Sequence, residues 1–165
     1  MLKGVSKVEP GYAGGSTRST SSGQVEIPTY EKVSMGNTGH AEVIRVTYDP
    51  AIISYEDLLT VFFGSHDPTT PNRQGADVGE QYRSVIFYND AEEKTIAERI
   101  AKEIQESLKD GSSVVTQILP LEKFYPAESY HQNYYKTNTS APYCQLVIEP
   151  KIEKVKKRFA ELVKQ

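Results

Sequence analysis

The clearest pattern along the chain lies in residues 41–48, AEVIRVTY, where Glu42, Ile44, Val46 and Tyr48 fall on one side and Val43, Arg45 and Thr47 on the other. A period of two predicts a strand, here ended by Asp49-Pro50. The spacing then turns helical. Ser54-Tyr55-Glu56-Asp57 reads as a capping box, with Ile53 and Leu58 placed for a hydrophobic staple. The helix it opens carries Leu58, Leu59, Val61, Phe62 and Phe63 and ends near Gly64. Residues 65–81 show no period and read as a long polar connection, a kind of segment that is usually functional or disordered. Beyond it the pattern predicts a strand at 82–88 and a helix from about Ala91 to Lys109, with Ile96, Ile100, Ile104 and Leu108 on one stripe. A third strand is expected at 113–119, stopped by Pro120, and a short one around Gln145–Ile148. The last helix, 151–164, buries Ile152, Val155, Phe159 and Leu162 and turns its lysines to solvent. At the opening, LKGV reads as the end of a helix, and residues 11–40 as Gly/Ser/Thr-rich turns. Strands alternating with helices, with one hairpin-like return, predict an α+β fold: a two-layer sandwich forming a single domain over 1–165.

Composition narrows the function classes. The 165 residues, 38% hydrophobic and 25% charged, sit in the ordinary globular range and suffice for a real core. A net charge of −3 without a basic block gives no nucleic-acid surface. No apolar run approaches the roughly 20 residues of a membrane span, and the start lacks the features of a secretory signal. Cys144 is the single cysteine, so no disulfide forms within the chain, which suits a reducing cytoplasm. Its ordinary reading is an inert small hydrophobe. His40, His66 and His131 have no paired spacing that suggests zinc. GYAGGSTRS lacks the Gly-Lys-Ser/Thr that grips phosphate, and there is no Gly-x-Ser-x-Gly elbow.

Glu42 is the most informative single position. It shares the more apolar face of its strand, which places it at the rim of a buried surface, where desolvation would raise its pKa and suit it to donate a proton. The alternative is a strand-end carboxylate paired with Arg45 or His40, and the periodicity leaves both open. Asp77, between Gly75 and Gly79, reads either as a turn cap or as a second carboxylate at a site that the loop folds over. Tyr30 and Tyr82 offer phenolic donors, among eleven tyrosines that are mostly expected to pack.

Taken together, GYAGG (11–15), PTYEKV (28–33), GNTGHAEVIRVTYDP (36–50), ISYEDLLTVFF (53–63), HDPTTPNRQGADVGEQYRSVIFY (66–88) and FYPAESYHQNYY (124–135) resemble the peptide methionine sulfoxide reductase A family, in the family's order and over nearly the whole chain. The resemblance implies a mixed sheet with a ferredoxin-like core and reduction of the S epimer of methionine sulfoxide, free or in proteins. A cysteine thiolate attacks sulfur and becomes a sulfenic acid, which a second thiol and then thioredoxin or another dithiol reduce. No cofactor or metal is implied, and the enzyme is expected to be a cytoplasmic monomer.

By the same resemblance, Glu42 falls on the acid that protonates the sulfoxide oxygen, Tyr30 and Tyr82 on the tyrosines that bind it, and Asp77 on an acidic residue that arranges the site. The family's nucleophile stands in a GCFW-like motif at the start of a first helix running into the equivalent of LKGV. That motif is not in this sequence, so the first strand and most of the first helix are expected to be missing and this chain to be inactive as given. Cys144, in APYCQLVI, lies where a late resolving cysteine can occur in the family. STRSTSSGQVEI (16–27) is longer than usual there and is expected to alter the lip of the pocket. A binding-only domain, and a remnant with an exposed apolar sheet face, are the alternative readings.

Overall fold

The computed structural model describes residues 2–16 and 27–164. In chain order its elements are β1 (Val5–Ala13), α1 (Tyr30–Ser34), β2 (Ala41–Tyr48), α2 (Tyr55–Ser65), β3 (Arg73–Gln74), β4 (Asp77–Val78), β5 (Val85–Tyr88), α3 (Ala91–Ser107), β6 (Gln117–Pro120), β7 (Phe124–Pro126), α4 (Tyr134–Thr137) and α5 (Glu149–Arg158). A 3-10 turn covers Glu80–Tyr82, and a π-helical stretch, Cys144–Ile148, leads into α5. β1 lies between β2 and β7, antiparallel to both; β3 and β4 form a small hairpin; β5 and β6 run parallel across the α3 crossover. The class is the α+β class expected, with mixed strand pairing.

Local signals explain the elements that the pattern predicts. In α2, Ser54 Oγ accepts from the Asp57 N–H at 3.1 Å, and Asp57 Oδ2 accepts from the Ser54 N–H at 3.1 Å, so the capping box is closed on both sides. Asp90 caps α3, accepting from the Glu93 N–H at 2.9 Å. Leu59 and Phe63 of α2 meet Ala97 and Ile100 of α3 over Ile86 of β5, forming the main core. Burial of each large side chain there stabilises the fold by about 1.5–3 kcal/mol.

β1 has no such signal, because Pro10 and Gly11 interrupt its pattern. The structure accommodates both. The Pro10 carbonyl accepts from Ala127 N–H at 2.9 Å, and a strand residue's N–H and C=O point the same way, so the donor that proline lacks faces the end of β7. At Gly11 a Cβ would come within 2.4 Å of the Phe124 ring and of the Tyr125 carbonyl, so only glycine allows β7 to approach.

Several expectations need correction. Leu2 forms a bridge with Val163, and Gly4 turns the chain into β1 with φ +71°. The strand expected at 82–88 begins only at Val85, and that at 113–119 only at Gln117 and runs through Pro120. The 65–81 connection contains the β3–β4 hairpin. Residues 145–148 are π-helical rather than extended, because Pro150 is tolerated in the first turn of α5 and lets helix run on from Cys144. α5 itself ends at Arg158. The face of β2 that carries Glu42 is also more open than its apolar pattern predicts: Ile44 is 64% exposed, and Val8 of β1, which pairs with Val46, is 50% exposed. Most of the 16–27 stretch falls outside the described residues.

Candidate active site

Glu42 is the second residue of β2, opposite Tyr12 of β1. It keeps solvent access, yet the surrounding protein atoms remove enough hydration to raise its pKa, and the charge of Asp77 raises it further. The ion pairs that were the alternative do not form. Arg45 instead bonds Glu9 at 3.0 Å and lies over the Phe124 ring. His40 is buried with both ring nitrogens unpartnered among the described residues, and burial lowers its pKa.

Asp77 opens β4, where the tight hairpin turns it inward to a half-buried position. Tyr82 ends the 3-10 turn that follows; burial pushes its phenol up, and the charges of Glu42 and Asp77 and the nearby Tyr30 add to the rise. Tyr30 is the first residue of α1, its ring 4.6 Å from that of His131. The four residues singled out from the sequence thus come from four segments into one electrostatic neighbourhood.

Three residues join them that the sequence reading passed over. Tyr143, half exposed, has its phenol raised by desolvation and then by Asp77, Glu42, Tyr134 and Tyr30, which places it facing the same cluster. Tyr12, directly across the sheet from Glu42, is buried and donates to Glu128 Oε2 at 2.8 Å; burial and that carboxylate push its phenol up. Glu128 also accepts the Tyr30 N–H on Oε1 at 2.8 Å. Burial alone would raise Glu128, but hydrogen bonds from the Tyr30 N–H, its own N–H and Tyr12 outweigh it and hold the carboxyl low. Nothing in local spacing marks these residues.

Cys144 adjoins Tyr143 but has no exposed surface. As a resolving thiol it would need residues 134–148 to open. Burial favours its plainer reading as a packed hydrophobe. No group of three or more His, Cys, Asp or Glu among the described residues is arranged to hold a metal, and no helix of theirs is long and apolar enough to cross a membrane. His66 is structural. Burial lowers its pKa, so Nδ1–H donates to the Phe62 carbonyl and Nε2 accepts from Ser84 Oγ, each at 2.7 Å.

The cluster combines one carboxyl that holds its proton to higher pH with several phenols that remain proton donors. That is the equipment for stabilising and protonating an oxygen that gains negative charge.

Comparison with known proteins gives the chain a family. A family model described as peptide methionine sulfoxide reductase matches residues 1–163. A peptide methionine sulfoxide reductase of Sulfolobus acidocaldarius is 50% identical over 160 residues, spanning 97% of this chain and 85% of that protein. One of Thermus thermophilus is 46% identical over 164 residues, spanning 99% and 88%. Among solved structures, reduced Mxr1 from Saccharomyces cerevisiae superimposes with a TM-score of 0.76 at 37% identity, over 86% of this chain and 76% of that one. Methionine sulfoxide reductase A of Corynebacterium diphtheriae gives 0.67 at 31% identity, over 84% and 66%. With identity this high along nearly all its length, the chain belongs to the peptide methionine sulfoxide reductase family, whose curated members are named for reducing oxidised methionine.

Proposed function

We propose that the Glu42 cluster is the oxygen-binding half of a site that reduces the S epimer of methionine sulfoxide, free or in proteins. A thiolate attacks the sulfoxide sulfur while Glu42 gives its proton to the oxygen, and the hydroxyl passes to the cysteine sulfur. Methionine leaves reduced by two electrons and the attacking cysteine becomes a sulfenic acid. A second thiol condenses with it, releasing water and forming a disulfide, and a thioredoxin-type dithiol returns both sulfurs to thiols. Tyr30 and Tyr82 hold the oxygen as the S–O bond breaks, and Asp77 keeps Glu42 protonated to higher pH. The observation that carries this reading is the raised pKa of Glu42 beside Asp77 and Tyr82. In this reading residues 1–165 belong to a single domain of an enzyme that is a monomer in the cytoplasm and needs no cofactor.

The attacking thiol is the other half. Cys144, the one cysteine, is buried, so in this reading the nucleophile comes from a Gly-Cys-Phe-Trp segment preceding Leu2. The test is reduction of S-methionine sulfoxide with dithiothreitol by this chain, its Cys144→Ser variant, and a version lengthened by that segment. Turnover by the lengthened form alone supports the proposal. Activity of this chain that Cys144→Ser abolishes would make Cys144 the nucleophile. Silence from all three leaves the binding-only alternative.

A further inference from the structure

The peptide at Gly39 is gripped from both sides. Its N–H donates to Glu80 Oε1 at 3.0 Å, and its carbonyl accepts from Arg83 Nη2 at 2.9 Å. Gly39 stands three residues before Glu42 and has φ +70°, a conformation that favours glycine. Arg83 is tied down in turn: Nη1 donates to the Glu80 carbonyl at 2.9 Å and Nε to Gln117 Oε1 on β6 at 3.2 Å. Between the two gripping residues lies Tyr82. Gln81, which is buried, reaches the other way, donating from Nε2 to the carbonyl of Ser34 at 3.3 Å, at the far end of the helix that begins with Tyr30. The 3-10 turn Glu80–Tyr82 therefore touches the segments bearing Tyr30 and Glu42, follows directly on the hairpin bearing Asp77, and carries Tyr82 itself.

We propose that Glu80 and Arg83 are positioning residues for the reductase: their grip on Gly39 fixes the lead-in to β2 and so sets the Glu42 carboxyl against Asp77 and Tyr82. The arrangement suits this purpose better than mere anchoring. A single bond to Gly39 would hold the loop but leave the residue free to turn about that bond. Two charge-assisted bonds, one to each polar atom of the residue, fix its orientation. The guanidinium fork is needed because it must serve Gly39, Glu80 and Gln117 from one rigid plane, which an ammonium cannot do.

The proposal rests on the function assigned to Glu42, but its test reads no turnover, so an idle clamp and an inactive enzyme give different results. The Glu42 carboxyl is titrated by carbon-13 NMR in the full chain and in Glu80→Ala, Glu80→Gln and Arg83→Lys, with Glu9 as the internal control. Both Glu80 variants remove the same charge, but only glutamine keeps an oxygen to accept from Gly39. Release of the clamp lets Glu42 swing toward water, so its pKa in Glu80→Ala should fall below that in Glu80→Gln by about half a unit or more, with Glu9 unmoved. Should Glu80→Ala fail to fold, Arg83→Lys decides, with the same fall expected relative to the parent chain. Folded variants in which Glu42 titrates as in their reference would overturn the proposal.

Discussion

Tyr12 and Glu128, 116 positions apart, are joined by a 2.8 Å hydrogen bond from phenol to carboxylate, and the second oxygen of that carboxylate holds the backbone of Tyr30. One side chain thus ties the strand that pairs with Glu42 to the helix that begins with Tyr30. Glu128→Ala leaves the buried Tyr12 hydroxyl without its acceptor, at a cost of about 1–3 kcal/mol. Differential scanning calorimetry should show a melting temperature lower by about 3–10 °C, while Glu128→Gln, which can still pair with both groups, loses much less. Equal losses in the two variants would show that the carboxylate's bonds are not what holds the segments together.

Glu42 is expected to lower stability at neutral pH. Its pKa is raised in the fold, so the folded state retains the proton more readily than the unfolded chain, and stability falls as pH rises from the unfolded value through the folded one. Glu42→Gln removes the charge. Because the carboxyl retains solvent access, the gain is modest, about 1–2 °C in melting temperature at pH 7, and it disappears near pH 4. A melting temperature unchanged or lower at pH 7 would contradict the desolvated-acid assignment.

His66 and His40 give the opposite slope. Burial lowers both pKa values, so the unfolded chain takes up protons first as the pH drops through the ordinary imidazole value of about 6.5, and stability is lost from there downward. Ser84→Ala removes the hydroxyl that fills His66 Nε2 and should cost about 1–2 kcal/mol at pH 7.5. The penalty should shrink as the pH falls to 5.5, because without the donor that favours neutral imidazole the folded variant takes up the His66 proton more readily. Chemical denaturation at the two pH values measures both effects, and a pH-independent penalty would mean that His66 is not held neutral by its surroundings.

Cys144 should react as a buried group. A disulfide dye such as Ellman's reagent is expected to label it at least about a hundredfold more slowly in native buffer than in denaturant, at a rate set by opening of the segment around it. Labelling at the same rate in both would place the thiol at the surface and restore its candidacy as a resolving cysteine.

What the sequence allowed one to read, and what it did not, follows the range of the forces involved. β2, α2 and α3 were legible because alternation, the Ser54–Asp57 box and the isoleucine stripe act within a few residues. β1 was not, because Pro10 and Gly11 are acceptable only where β7, more than a hundred residues later, ends and approaches. The π-helical run at Cys144 lacked a local signal strong enough to outweigh its strand-like composition. In the site, Glu42 and Asp77 stood out as carboxylates in unusual settings, one on an apolar strand face and one between glycines. Tyr143 was one of eleven tyrosines, and Glu128 owes its importance to partners 98 and 116 positions away. Arg45 shows the converse: its spacing offered Glu42 a partner, but Glu9 across the sheet claimed it.

The antiparallel pairing of β1 with β7 also bears on how the protein is made. A ribosome delivers Glu42 early, with its carboxyl on a hairpin of β1 and β2 that can already form. Gly11 meets Pro126, and Tyr12 meets Tyr125, only after most of the remaining chain has emerged. Until then the third strand is absent and Tyr30 lacks the carboxylate that anchors it. Closing so long a loop is entropically costly and slow, so the hairpin waits with an open edge during synthesis. The acid thus precedes the carboxylate that anchors Tyr30, and that side of the site is completed only when residues 124–128 arrive.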